Sequence, residues 1–400
     1  MNVPTTSRAP EVTALVAMRP RLVPFLLPQF HPTAENDKWW GRGFTEWTNV
    51  TKARPLFTGH VQPHLPADLG FYDLRLPEAR IAQADLARSF GIEAFCYYHY
   101  WFHGTRLLHQ PIDDVLSSGE PNFPFCFCWA NEPWSRTWLG DEREVLIAQR
   151  YSREDDRVHA QWLTRAFADP RYLKTNGRPV FLIYRVSHMD APAATIDILR
   201  EASAREGLPD PYVVLCDGHQ AGGDLRAMYG ADMTLRYEPQ LSVLPGGLRS
   251  INRWRRLITN FTNASMVSAK LRLYDYARSR ALMRGIVSKG PSIRTVLVRW
   301  DNSPRRGARG IIMTSATPTA FGRELRGEMA RDDWNSSGTG FLFLNAWTEW
   351  AEGNYLEPDM QYGHAFLKQV RDALADHERL HGRAGDCTAA VKVEVNACPM

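Results

Sequence analysis

Eight short apolar runs punctuate this sequence, and their spacing limits the folds open to it more than any other feature. They are Leu22 to Phe30, Ile92 to Tyr98, Phe123 to Trp129, Pro179 to Tyr184, Tyr212 to Cys216, Met233 to Tyr237, Thr295 to Trp300 and Gly340 to Trp347. Each is strand-length and continuously apolar instead of alternating, the pattern of parallel strands covered on both faces. Segments with helical spacing lie between most of them. Thr317 with Pro318 reads as an N-cap followed by proline in the first turn, and Phe321, Leu325 and Met329 then repeat every four residues. Val158, Trp162 and Ala166 keep the same rhythm after the third run, as do Phe366, Val370 and Leu374 after the eighth. Eight strand-then-helix units predict an α/β fold of the (β/α)8 TIM barrel type, because eight is the number that closes.

Breaks in this rhythm mark the insertions. More than forty residues rich in Trp, Gly, Pro and Asn separate Phe30 from the helix near Pro77, too long for a simple connection, and this first loop reads as functional. The stretch from Leu241 to Pro291, ahead of the seventh strand, is basic and partly helical, suited to a lid or a docking element. The expected organisation is a single barrel domain over 21–380, an N-terminal extension over 1–20 and a frayed tail over 381–400.

Bulk composition excludes several classes. No stretch approaches the roughly 18 to 20 apolar residues of a membrane-spanning helix, and the start of the chain is a poor secretory signal. Six cysteines are too sparse for a disulfide framework, so the expected setting is the reducing cytoplasm. A net charge of +4 with mixed signs gives no case for nucleic acid, and the densest basic stretch, Arg253, Arg255 and Arg256, reads as a solvated helix face. Asp113-Asp114 and Asp332-Asp333 read the same way, and the acceptor patterns at Asn260 and Asn263 as chance.

In a barrel of this kind, chemistry sits at the carboxyl ends of the strands. The residues expected to touch substrate gather there: Glu46 and Trp47 after the first run, Tyr98, His99, Trp101 and His103 at the second, and Asn131, Glu132 and Trp134 at the third. The later runs supply Tyr184, Asp217, Glu238, Trp300, Asp301, Asn345, Trp347 and Trp350. Ten of the 13 Trp fall at this end (Trp39, 40, 47, 101, 129, 134, 138, 300, 347 and 350), where flat ring faces suit the C–H surfaces of a sugar. His99 and His103 have a metal-ligand spacing for a helix, but they occupy a strand-to-loop passage, so no metal and no cofactor is expected.

Glu349 and Glu352 are the expected catalytic residues. Three apart on a helical turn, their Cβ atoms would be about 5 to 6 Å from each other. That is near the roughly 5 to 5.5 Å carboxyl separation of retaining glycosidases and short of the roughly 6.5 to 9.5 Å of inverting ones. Crowding two acids among Trp rings, with Trp347 and Trp350 interleaved with them, should also raise at least one carboxyl pKa towards neutrality.

Long stretches then match a known family. GFTEWTNVTKARPLF at Gly43 to Phe57, QPHLPADLGFYDL at Gln62 to Leu74, FCYYHYWFHG at Phe95 to Gly104 and FPFCFCWANEPW at Phe123 to Trp134 are its most specific pieces, with WDNSPRRGARG at Trp300 to Gly310 and NAWTEWAEGNYLEPD at Asn345 to Asp359. With them the chain resembles the WbsX-like family, glycosyltransferase or glycoside-hydrolase-family-99-like proteins found among bacterial surface-polysaccharide genes. The resemblance implies the barrel and a retaining reaction at α-mannosidic linkages by the glutamates of an E-W-x-E motif. Carried over, Glu349 draws the proton from the sugar 2-hydroxyl and Glu352 protonates the leaving oxygen. Thr348 stands where the family pattern has Asn, and Pro133 where it has a second Asn. The implied partners are an oligosaccharide or polysaccharide substrate and polysaccharide-assembly enzymes. Transfer from an activated sugar donor and a non-catalytic glycan-binding barrel are the alternative functions.

Overall fold

The computed structural model describes residues 19–135, 145–218, 223–245, 270–286, 289–331 and 333–391. Eight parallel strands, β1 (Arg21–Leu26), β2 (Phe95–Phe102), β3 (Phe125–Trp129), β4 (Arg178–Ile183), β5 (Tyr212–Cys216), β6 (Met233–Arg236), β7 (Ser292–Leu297) and β8 (Phe341–Asn345), pair in sequence order. The barrel closes where β1 pairs with β8 on one side, Arg21 opposite Phe341, and with β2 on the other, Phe25 opposite Cys96. All eight apolar runs are therefore strands. β7 starts three residues before its run because Arg294 is not in solvent: it is paired with Glu328 and Asp333 under the barrel.

Helices α3 (Pro77–Ser89), α4 (Gln110–Ser118), α5 (Arg153–Phe167), α6 (Pro192–Arg205), α7 (Leu225–Tyr229), α8 (Tyr276–Arg284), α10 (Pro318–Met329) and α11 (Ala365–Val391) cover the outside, while the short α1 (Ala34–Trp40), α2 (Glu46–Lys52) and α9 (Ser303–Arg306) lie in the connections at the carboxyl end. Their starts follow from local chemistry. Thr317 caps α10 by accepting from the Ala320 amide, and Ser152 and Asp224 cap α5 and α7 in the same way. The apolar faces of α10 and α11 meet through Phe321 and Phe366. Val213, Val214 and Leu215 on β5 are wholly buried, which is why such strands read as unbroken apolar runs; each side chain of that kind contributes roughly 1.5 to 3 kcal/mol.

Two expectations change. α11 continues past the boundary expected at 380 and ends at Val391. The basic insertion contributes α8 and a strand, Arg272–Asp275, that pairs in parallel with Ile311–Thr314 outside the barrel. α8 docks through Arg280, fully buried among Glu238, Glu324 and Glu328. Arg253, Arg255, Arg256, Asn260 and Asn263 lie outside the described residues, as do Arg136, Trp138, His219 and Asp332. Cys96, Cys126, Cys128 and Cys216 are buried free thiols. Among the described residues no helix is long and apolar enough to cross a membrane.

Candidate active site

Beyond β8 the chain makes a tight hairpin in which Thr348–Glu349 pairs antiparallel with Asn354–Tyr355. A 3-10 turn, Trp350–Glu352, joins them, and Gly353 closes it at φ 56°. Only glycine fits there, since a Cβ would lie 2.8 to 3.0 Å from the backbone and Cβ of Asp301. Thr348 Oγ1 accepts from the Leu27 amide at 2.8 Å and donates to the Leu27 carbonyl at 3.2 Å, pinning the hairpin to the end of β1. Glu349 thus caps, and Glu352 ends, a 3-10 turn inside a pinned hairpin, where their spacing alone suggested a helical turn.

Their convergence comes from a third residue. Arg305, on α9 after β7, donates through Nη2 to Glu349 Oε2 at 3.2 Å and through Nη1 to Glu352 Oε1 at 2.7 Å. Its Nε donates to Oε1 of the fully buried Glu46 on α2 at 3.0 Å. One guanidinium is therefore shared by three carboxyl groups. Burial pushes Glu349 from 4.5 to about 8, with Arg305 opposing the rise and Glu352 and Glu46 adding to it. Glu352 is raised as well, by burial first and against Arg305, and its side chain keeps 23% exposure where that of Glu349 keeps 9%. Burial works against the charge of Arg305, but the three carboxyl groups outweigh it and hold the guanidinium charged.

This cluster forms one wall of a cavity of about 260 Å³ at the carboxyl end of the barrel. Of the residues expected to touch substrate, Tyr98, Glu132, Trp134 and Tyr184 line it, and Glu46 reaches it through Arg305. Tyr98 and Tyr237 share a hydroxyl hydrogen bond of 2.7 Å, and Asn345 Nδ2 donates to the Tyr237 hydroxyl at 3.0 Å beneath the floor. Burial holds the phenols of Tyr98, Tyr100, Tyr184 and Tyr237 protonated. The site thus offers one carboxyl group pushed up to about 8, a second raised in the same direction, fixed hydroxyls and aromatic walls.

The remaining expected residues stand away from the cavity. Strand alternation explains two of them: with Tyr98 and Tyr100 facing inward, His99 and Trp101 face α5, where His99 Nε2 sits 3.0 Å from His159 Nε2 and Trp101 donates to Asp155 at 3.0 Å. His103 is exposed at the turn of the hairpin beyond β2. Asn131 is tied to Tyr151 and to the Arg185 backbone. Asp217 is absent from the lining, and Glu238 turns to Arg280. Trp300 belongs to a second apolar cluster with Tyr274 and Met313. Asp301 receives Gln62 Nε2 at 2.6 Å and His60 Nε2 at 2.8 Å, which seats the start of α9. Trp47, Trp347 and Trp350 are packed, at 8%, 0% and 1% exposure.

The aromatic rim is correspondingly narrower than its Trp count. Trp40 and Trp134 line the cavity, while Trp39 packs edge-on against Trp134 and Trp129 is buried. Sequence reasoning missed Arg305, Tyr100 and Tyr237. The two-residue step from Tyr98 pointed to Tyr100; Arg305 lay in the quoted WDNSPRRGARG stretch with nothing in its neighbours to mark it.

Comparison with known proteins agrees with this architecture. The family described as "Glycosyltransferase WbsX" matches residues 22–370. A protein named "Uncharacterized protein WxcX", from two strains of Xanthomonas campestris pv. campestris, is 39% identical over 354 residues, 88% of this chain and 49% of that protein. The chain thus spans about half the length of the curated relatives it matches. Among solved structures, a GH99 endo-alpha-mannosidase from Bacteroides thetaiotaomicron superposes with a TM-score of 0.55 at 13% identity, covering 90% of this chain and 98% of that one. A "Glycoside hydrolase-like protein" gives a TM-score of 0.56 at 13% identity, with 94% and 97% covered. At such identities the likeness is one of fold.

Proposed function

Because this chain belongs to the WbsX glycosyltransferase family, we propose that it cleaves or transfers α-linked glycosidic bonds by a retaining two-carboxylate mechanism, in bacterial surface-polysaccharide metabolism. The observation that carries this reading is the convergence of Glu349 and Glu352 on Arg305 in the cavity wall. Glu349 accepts the proton of the sugar 2-hydroxyl as that oxygen bonds to the anomeric carbon. Glu352 gives its proton to the glycosidic oxygen as the bond to the anomeric carbon breaks. In the second step Glu352 takes a proton from water or an acceptor hydroxyl, which attacks the anomeric carbon, and Glu349 returns the 2-hydroxyl proton. Two inversions retain the configuration. The lining tyrosines bind hydroxyls, and Trp40 and Trp134 offer ring faces to sugar C–H surfaces. A cytoplasmic location and association with polysaccharide-assembly enzymes belong to the same proposal.

The test is a panel of α-linked oligosaccharides, assayed with and without nucleotide-sugar donors, using wild type, E349Q and E352Q. Each variant is expected to lose about 100- to 10,000-fold in turnover while melting as a folded protein. Wild-type turnover in both variants sinks the reading. The family's name motivates a second one, and product formed only when an activated donor is present would favour donor-dependent transfer over cleavage.

A further inference from the structure

Glu357 is a buried carboxyl group that the proposed chemistry does not use. It lies five residues beyond Glu352 and is 2% exposed. Three donors from three parts of the chain converge on it. Gln83 Nε2 on α3 reaches Oε1 at 2.7 Å, and the Tyr72 hydroxyl in the first loop reaches Oε2 at 2.8 Å. The Trp350 indole N–H reaches Oε2 at 2.6 Å, with Trp347 beside it. No basic side chain is among these partners. Burial therefore pushes the carboxyl up to about 7, and the donated hydrogen bonds oppose that rise.

Trp350 follows Glu349 directly and, with Ala351, separates the two acids. Its ring is clamped by stacking on Tyr355, centroids 3.7 Å apart, and it leans on Trp47 at 5.4 Å. Trp47 adjoins Glu46, the third carboxylate on Arg305. Trp350 shares one short turn with Glu349 and Glu352, and Gly353 closes that turn tightly against Asp301, so the seat of the indole bears on where both acids stand. Phe would fill the same space as Trp at much of position 350, but only an indole N–H can answer the Glu357 carboxylate. A Gln at 357 keeps the shape and brings an NH2 group into a shell made of donors, leaving at least one of them without an acceptor.

We propose that Glu357 is a positioning residue for the acid pair, acting through the Trp350 indole N–H to hold Glu349 and Glu352 on Arg305. The proposal rests on the two-carboxylate reading for its effect on turnover, but not for its effect on the site.

The experiment compares wild type, E357Q, W350F and the double variant, all checked for folding by thermal melting. The protonated-carboxyl infrared band of Glu349, assigned by its loss in E349Q, is titrated in each. Both single variants are expected to shift its midpoint in the same direction, and the double variant to shift it no further. An unchanged midpoint in folded E357Q and W350F, or shifts that simply add, overturns the proposal. On a cleaved oligosaccharide, kcat is expected to fall about 100-fold in E357Q with KM little changed. If wild type turns over nothing while the infrared midpoints shift together, the positioning role stands and the two-carboxylate reading fails.

Discussion

Arg305 Nη1 lies 2.7 Å from Glu352 Oε1 although the two residues belong to different strand-to-loop passages of the barrel. The same guanidinium also holds Glu349 and Glu46, so one cation offsets the mutual repulsion of three carboxyl groups, two of them buried and Glu352 partly so.

Removing that cation should leave the carboxyl groups uncompensated. R305Q is expected to lower the unfolding free energy by about 3 to 5 kcal/mol at pH 8. The loss should shrink towards pH 5, where protonation relieves the repulsion. Chemical denaturation at the two pH values measures it, and a loss independent of pH would show that Arg305 acts by packing alone.

The raised Glu349 pKa gives two signs to check. A base must be deprotonated to work, so kcat/KM should rise with pH through about 8, and E349Q should abolish the activity that shows the limb. A fall through that pH would exchange the roles of Glu349 and Glu352. For stability, the folded protein binds a proton that the unfolded chain releases above 4.5. This contribution is fully present below 4.5 and is lost as pH rises to about 8, so E349Q should flatten stability against pH in that window.

Gly353 supports the hairpin from behind. G353A meets Asp301 at under 3.0 Å in a left-handed backbone conformation, which should cost about 2 kcal/mol or more. Turnover should drop about 100-fold as the acids shift. An unchanged melting temperature would contradict the close approach.

Trp101 provides the opposite case. W101F strips the Asp155 carboxylate of its indole donor and should destabilise the protein by about 1 to 3 kcal/mol. Because the ring faces α5 and not the cavity, kcat and KM should stay at wild-type values. A selective rise in KM would place Trp101 in the binding site.

By itself the sequence determined the barrel. Strands covered on both faces must be apolar at every position, so Val213 to Leu215 or Phe341 to Leu344 could be read as buried strands without any partner in view. Thr317 before Pro318 marked a helix start for an equally local reason, as one side chain caps its own turn. Glu349 and Glu352 were legible because their motif is contiguous. The same uniformity hid the phase of β2: in a strand aromatic on both faces no alternation tells Tyr98 and Tyr100, at the cavity, from His99 and Trp101, against α5. Only barrel closure sets that direction. Tertiary structure also decided that most of the described Trp at this end are buried away from the cavity lining, and that Arg305, Glu46 and the acid pair meet. A buried charge needs its counter-charges at hydrogen-bonding distance wherever they lie in the chain, and spacing along the sequence carries no record of that distance.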